Sequence, residues 1–402
     1  MLLKLSKVFF ALLVFYYGWF QVVFFPIQNI LFVLGAILMV CILMHAYMNN
    51  SAILKYITIE LFMWTLFAFT SMAAGIFVAQ NTILMANSLF TYFEFLILIY
   101  SIVYISCQDK SIKFFIDLFI IFSIVCAITI IFFGVEYSHG RISMSGNSNP
   151  NSDGIIMVIG ICCIFFKMKL KNTRKFILLF FLIFLFLYAT ILTGSRKSFL
   201  STVIIIIYWI LFVAFREVKK AKFKSLLLLV LMFIVGSSIL YNKLFQEAVL
   251  FQRLDVLFTS GDEIRKGMYK AAIELFKQSP LVGIGFNNYR VLSGYGTYSH
   301  STYAEALACT GLIGVILYFI PYIILLIKYS ILFFNKTLNG ELISQSRVML
   351  GLFCILLFLG IGIIHFYEMA SSITFGLIIA FVILNKEYIY VNKNVIIDKT
   401  IH

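Results

Sequence analysis

The chain has 402 residues, of which 62% are hydrophobic and only 12% charged. A soluble domain is about a quarter charged, so this composition excludes one and requires a polytopic membrane protein whose length reflects its spans. The net charge of +14 points to basic residues flanking spans on the cytoplasmic side rather than to nucleic acid. The seven cysteines lie in or beside apolar runs and show neither metal-ligand spacing nor a disulfide framework.

A span needs about twenty apolar residues. The first apolar run, from Val8, is followed by many more, and reads as a span rather than a cleaved signal peptide. Taken in order, the candidates are Val8–Phe25, Gln28–Met48, Tyr56–Ala79, Ile83–Ser106, Ile112–Val135, Asp153–Phe166, Phe176–Thr193, Phe199–Phe215 and Ser225–Tyr241. After a long polar connection come Tyr303–Ile327, Val348–Phe366 and Ser372–Leu384. This predicts an all-α polytopic integral membrane protein of about 12 transmembrane helices. It has a single transmembrane domain, with one large loop, 242–302, inserted between two spans.

Lys and Arg set the orientation. With Lys4 and Lys7 cytoplasmic, 21 of the 31 basic residues face inward and 10 outward, 7 of those in the long loop. Short connections are then strongly positive-inside, and long loops obey that rule only weakly. Both termini come out cytoplasmic. The 136–151 connection, the Thr193–Ser198 turn and the long loop all face outward. Single cysteines at Gln252 and Thr297, in a background without native cysteines, are expected to react with an impermeant reagent on intact cells. A cysteine at Lys220 is expected to be protected, and its labelling from outside would reverse the orientation.

The long loop concentrates titratable residues, among them Arg253, Asp255, Asp262, Glu263, Arg265, Lys266, Arg290 and His300. Loops of this length that are not linkers tend to be functional. Ser260-Gly-Asp-Glu263 has capping-box spacing. Ile264, Met268, Ala271 and Leu275 then fall at helical spacing up to Gln278, before Pro280 and Gly283. This is an amphipathic helix on or near the membrane surface, with Arg265 in its first turn. Gly283-Ile-Gly285-Phe-Asn-Asn288 follows as a turn-rich link.

Three outward connections carry candidate chemistry. His139-Gly-Arg141 and Gly146-Asn-Ser-Asn-Pro-Asn151 dictate turns; they read either as a solvated loop or as a polar lining that includes Arg141 and Asn149. In Thr193-Gly-Ser-Arg-Lys-Ser198, Lys197 suits an interfacial snorkelling role. Arg196 follows a Gly-Ser turn near a helix start, where backbone N–H groups favour anions and a planar guanidinium binds two oxygens. His300 stands in Tyr298-Ser-His-Ser-Thr-Tyr-Ala-Glu305, either as a structural interfacial histidine or as a base able to take a hydroxyl proton near neutral pH. Glu305 is a candidate orienter of it. Glu94, mid-span, is a candidate either for sugar binding or for pairing with Arg196.

The order Thr193-Gly-Ser-Arg196, Arg265 on a loop helix, Ser279-Pro-Leu-Val-Gly-Ile-Gly285, His300-Ser-Thr-Tyr-Ala-Glu305 and Thr310-Gly-Leu-Ile-Gly314 resembles the O-antigen ligase and Wzy polymerase superfamily. The resemblance runs roughly from Arg141 to Phe319, and the His-x-x-Tyr…Gly-x-x-Gly part is its most specific element. The family pattern has Asn after the His, where Ser301 stands here.

The resemblance implies a metal-independent, GT-C-like glycosyltransferase without a cofactor. It implies Arg196 and Arg265 on the lipid diphosphate and His300 as the catalytic residue; Arg141, Asn149, Arg290, Tyr303, Glu305 and Glu94 stand beside these, on their residue types and positions, as candidates for binding or orienting substrate. The expected partners are an undecaprenyl-diphosphate-linked oligosaccharide donor, a glycan acceptor and the bilayer, together with a chain-length regulator and a flippase. A likeness of the His300–Phe319 segment to capsule and exopolysaccharide polymerases favours a polymerase; the alternatives are an O-antigen ligase acting on lipid A–core and a lipid-linked glycan flippase. A flippase commonly shows internal repeats and midplane charges, whereas this chain shows no clear repeat and collects its charges on one side.

Overall fold

The computed structural model describes residues 1–24, 30–50, 53–138, 140–168, 173–214, 250, 263–335 and 338–389. The expected span Ser225–Tyr241, the Ser260 cap, Arg253, Asp255, Asp262 and His139 lie outside the described residues, as does the first part of the 242–302 loop. The described chain is almost entirely helical, as expected. In order come α1 (Leu2–Val23), α2 (Ile30–Met48), α3 (Ile59–Val78), α4 (Thr82–Asp109) and α5 (Lys113–Phe133). A short hairpin, β1 (Val135–Ser138) and β2 (Arg141–Ser143), precedes α6 (Pro150–Lys167). Then come α7 (Thr173–Leu192), α8 (Arg196–Ala214), α9 (Glu263–Gln278), the single turn α10 (Tyr289–Leu292), α11 (Thr302–Phe334), α12 (Gly340–Leu359) and α13 (Met369–Leu384). Among the described residues ten of these helices are long and apolar enough to cross a membrane, and α13 is a shorter apolar helix.

The core lies around α6, the most enclosed span, which packs on α5, α7, α8 and α12. α4 runs along α13, α1 along α2, and α3 along α11. Gly154 permits one decisive approach: a Cβ there would meet the Ser198 hydroxyl at 2.6 Å. The backbone of α6 therefore packs directly on the Ser195 and Ser198 side chains at the start of α8. At the opposite end of the bundle the basic residues expected inside are tied to acids. Lys7 pairs with Asp109, Lys167 with Asp117, and Lys328 with the buried Glu60 at 2.6 Å.

Two boundaries differ from the sequence reading. The expected Val348–Phe366 span is α12, Gly340–Leu359, and His365–Tyr367 form a separate turn. Asn339 caps the start by accepting from the Leu342 amide at 2.8 Å. Beyond the end, Thr302 takes the backbone out of helical pairing. Its N–H donates to the Gly360 carbonyl at 2.8 Å and its hydroxyl to the Ile363 carbonyl at 2.8 Å. In α9 the packed stripe is Met268, Ala272 and Leu275, while Ile264 is 67% exposed. α9 packs against the start of α11, and its first turn projects beyond that contact.

α11 breaks at Gly311, which has φ 61°. The segment after α9 fills the break. Ile284 and Gly285 donate to the Ala308 and Cys309 carbonyls, while Leu312 and Ile313 donate to Pro280 and Leu281. The broken helix thus keeps its backbone groups paired, which a membrane interior demands. The contact works only with glycine on both sides: a Cβ at Gly311 would lie 2.5 Å from the Leu281 carbonyl carbon, and one at Gly283 (φ 72°) 2.4 Å from that of Cys309. The two glycine motifs, read separately in the sequence, are one joint. Gly311→Ala and Gly283→Ala are expected to lower the melting midpoint of the detergent-solubilised protein steeply, since the left-handed backbone alone costs about 1–2 kcal/mol before any overlap. Gly294→Ala (φ 77°, nothing within 4 Å) is the control and is expected to lower it less. Equal shifts in all three would show that the close crossing does not limit stability.

Candidate functional site

The starts of α6, α8, α11 and α13 meet the ends of α7 and α12 at one end of the bundle, beside α9. A narrow cleft opens there. Arg196, Lys197 and Arg265 supply its cationic side; Asn151, Ser195 and Ser198 add polar groups, and Ile155, Leu359 and Ile363 are its apolar wall. Arg196 and Arg265, each half-buried, thus face the same cavity from different helices. Lys197, read from sequence as an interfacial snorkel, lines the cleft as well, because α8's first turn faces the end of α12.

The placement of Arg196 follows from the turn before it. α8 begins at Arg196, as expected from its Gly-Ser turn, with Ser195 at the N-cap. Arg141 clamps that turn from the hairpin. Its Nε donates to the Thr193 carbonyl at 3.0 Å and its Nη2 to Asn151 Oδ1 at 2.9 Å. Arg141 is 8% exposed, so it holds the turn and the Asn151 side chain from behind. Asp153 secures the preceding loop, accepting from the Met144 amide at 3.0 Å and the Ser148 hydroxyl at 2.8 Å. Arg265 is anchored through α9. The Tyr269 hydroxyl donates to the Ile361 carbonyl at 3.1 Å, and that of Tyr289 to the Met268 carbonyl at 2.7 Å.

His300 sits one residue before the N-cap of α11 with φ 55°, a left-handed conformation uncommon for a residue with a side chain. Bonds on either side impose it. Ser299 N–H donates to the buried Glu305 carboxylate at 2.8 Å, and the Ser299 hydroxyl to the Ser301 carbonyl at 3.1 Å. Ser301 caps α11, accepting from the Ala304 amide. Asn and Ser are both strong N-caps, which accounts for Ser301 where the family pattern has Asn. Glu305 acts through the Ser299 amide, so its influence on His300 runs through the backbone. Thr302 then ties the segment to Gly360 and Ile363; Ile363 belongs to the wall of the arginine cleft.

The half-buried His300 ring lies 4.5 Å from that of Tyr298. Tyr298 is also covered by the Arg290 guanidinium at 5.7 Å, and its hydroxyl accepts from Asn149 Nδ2 at 3.1 Å. Asn149 itself caps α6. Arg290 donates to Asn287 Oδ1 at 2.9 Å. Arg141, Asn149, Arg290 and Glu305 are thereby brought into one network around the cleft and His300. Tyr303 is more peripheral: its hydroxyl donates to the Leu357 carbonyl at 2.7 Å and its ring stacks on Phe319. Glu94 lines a different cavity, an apolar groove with Tyr17, Phe32 and Phe90 between α1, α2 and α4.

Two other histidines are accounted for. His45 bonds the Tyr104 hydroxyl at 2.8 Å. Buried His365 bonds Ser371 through Nδ1 at 2.9 Å and the Leu356 carbonyl through Nε2 at 2.8 Å. Burial lowers its pKa to about 4, so it stays neutral and structural. One acid outside the candidates named from sequence adjoins the site. Glu368, half-buried before α13, accepts from the Ser152 hydroxyl at 2.7 Å. Removal from bulk water raises its pKa to about 7, and the Asp153 charge adds to the rise.

Fold and site together describe an all-helical, multi-span membrane protein with a cationic cleft at one end and a constrained histidine segment tied to its wall. Residues 181–319 match the family model described as O-antigen ligase, consistent with the O-antigen ligase and Wzy polymerase superfamily. The match runs from within α7 to the middle of α11 and so contains Arg196, Arg265, Arg290, His300, Tyr303 and Glu305. Members of that family are glycosyltransferase-like enzymes of ligase or polymerase type. No curated protein matches the chain.

Proposed function

We propose that this protein is a polysaccharide polymerase of the cytoplasmic membrane. It joins oligosaccharide repeat units carried on undecaprenyl diphosphate, on the outer side. The observation that carries this reading is the pairing of Arg196 and Arg265 in one cleft, beside the segment that holds His300. Two guanidinium groups at a helix start suit a diphosphate, which each can grip through two oxygens. As the glycosidic bond breaks, they stabilise the charge growing on the leaving diphosphate.

In the reaction the acceptor hydroxyl oxygen bonds to the anomeric carbon and its proton passes to the His300 imidazole. The carbon–oxygen bond to the diphosphate breaks, and undecaprenyl diphosphate leaves. Attack opposite the diphosphate inverts the anomeric centre. Lipid-facing apolar walls hold the isoprenoid, so only its head enters the polar cleft. Ligase activity is the second reading, favoured by the description of the matched family.

The glycan made by a deletion strain tests the assignment. A polymerase defect leaves single repeat units on an otherwise intact acceptor. Complete chains retained on the lipid carrier would instead identify a ligase, and units trapped inside a flippase.

A further inference from the structure

The arginine cleft accounts for the donor, and a glycan transfer also needs a place for the sugar that accepts. We propose that Glu368, with Ser152, Asn149 and Tyr298, forms a subsite that binds hydroxyl groups of the acceptor glycan. The inference rests on the glycosyltransferase reading above and deepens it.

The residues form two bonded pairs whose serine and asparagine both lie at the start of α6. Glu368 Oε1 accepts from Ser152, and Asn149 donates to Tyr298. Ser152 follows Asn151, which lines the arginine cleft, and Tyr298 packs on His300. The subsite therefore adjoins both the donor cleft and the proposed base. Tyr298 and Glu368 also sense each other: burial and then the Glu368 charge push the Tyr298 phenol up to about 12.

Among the described residues the bond from Ser152 is the one hydrogen bond of the Glu368 carboxylate. Glu368 occupies the N-cap position of α13, and its side chain makes no capping bond there. Among the described residues Oε2 takes no hydrogen bond, and the residue remains half-exposed. A carboxylate with a spare oxygen, an amide, a serine and a phenol make a surface for neutral hydroxyl groups. It is a poor surface for a diphosphate, which the acid repels. The site is thus divided: Arg196 and Arg265 take the donor head, and the hydroxyl-rich side, where Glu368 balances the Arg290 guanidinium over Tyr298, takes the acceptor.

Two binding measurements on the purified protein in nanodiscs test this. One uses undecaprenyl diphosphate; the other uses oligosaccharides from partial hydrolysis of the host's own surface polysaccharide. Glu368→Gln is expected to weaken oligosaccharide binding about ten- to a hundredfold, the scale of one hydrogen bond to a charged group, and to leave undecaprenyl diphosphate binding unchanged. In turnover assays it raises the acceptor KM more than it lowers kcat. Arg196→Ala gives the converse pattern in binding.

Equal oligosaccharide binding by wild type and Glu368→Gln overturns the subsite, as does a wild type that binds no oligosaccharide. Parallel loss of both ligands in Glu368→Gln also overturns it, because the residue would then support the fold. If Glu368→Gln does not reach the membrane, Glu368→Asp carries the test. It keeps the charge but withdraws it by one methylene, and it is expected to weaken the oligosaccharide alone; unchanged oligosaccharide binding overturns the subsite. Failure of the wild type to bind undecaprenyl diphosphate sinks the donor reading separately.

Discussion

Arg196→Lys and Arg265→Lys are each expected to lose most glycan transfer while the protein remains in the membrane. Lysine keeps the positive charge but not the planar fork that meets two phosphate oxygens together. Each hydrogen bond to a charged group contributes about 1.5–3 kcal/mol, roughly ten- to a hundredfold in rate per bond lost. Both side chains are half-buried in a partly apolar cleft, where water replaces a lost contact poorly. Lys197→Ala removes a point charge from the same wall but no fork, so it is expected to cost less. Retention in the membrane is read by quantitative blotting, and transfer by the length of the surface glycan and by turnover in nanodiscs. Wild-type glycan from both lysine variants would show that charge alone suffices.

The spans were legible because bilayer physics writes them plainly, as long apolar runs between basic connections. The end of α12 was not. Hydropathy runs on through Ile361 to Ile364, and the helix stops at Leu359 because Thr302, far away in sequence, takes the carbonyls of Gly360 and Ile363. The Gly311 joint was unreadable for the same reason, since neither glycine motif announces the other. In the site, the types and order of Arg196, Arg265 and His300 were readable, but their sharing of a neighbourhood came through the family resemblance, not through spacing. Arg141 was read as lining, whereas its bonds to Thr193 and Asn151 make it a clamp on the turn that carries Arg196. Glu368 shows the limit most clearly: the residue that bonds it, Ser152, lies 216 positions away. Its ionisable side chain near a span end was the only local signal.

The second large effect is expected at His300. His300→Ala should abolish transfer and spare binding of undecaprenyl diphosphate, because the arginines that hold the diphosphate sit on other helices. The neighbouring bonds support this separation. Ser299, Ser301 and Thr302 fix the backbone on both sides of His300, so loss of the ring leaves the cleft wall in place. Alanine at φ 55° adds backbone strain, since only glycine and a few polar residues visit that region readily. His300→Gln is therefore the sharper variant. Glutamine keeps a polar side chain of similar reach but does not take up a proton at neutral pH. Loss of a general base typically costs about a hundredfold to ten-thousandfold, so both variants should fall into that range when a purified lipid-linked repeat unit is turned over in nanodiscs. A histidine that merely packs on Tyr298 tolerates Gln. Near-normal turnover by His300→Gln, with donor binding intact, would remove the base role from His300 and transfer it to an acid, with Glu305 and Glu368 as the next residues to replace.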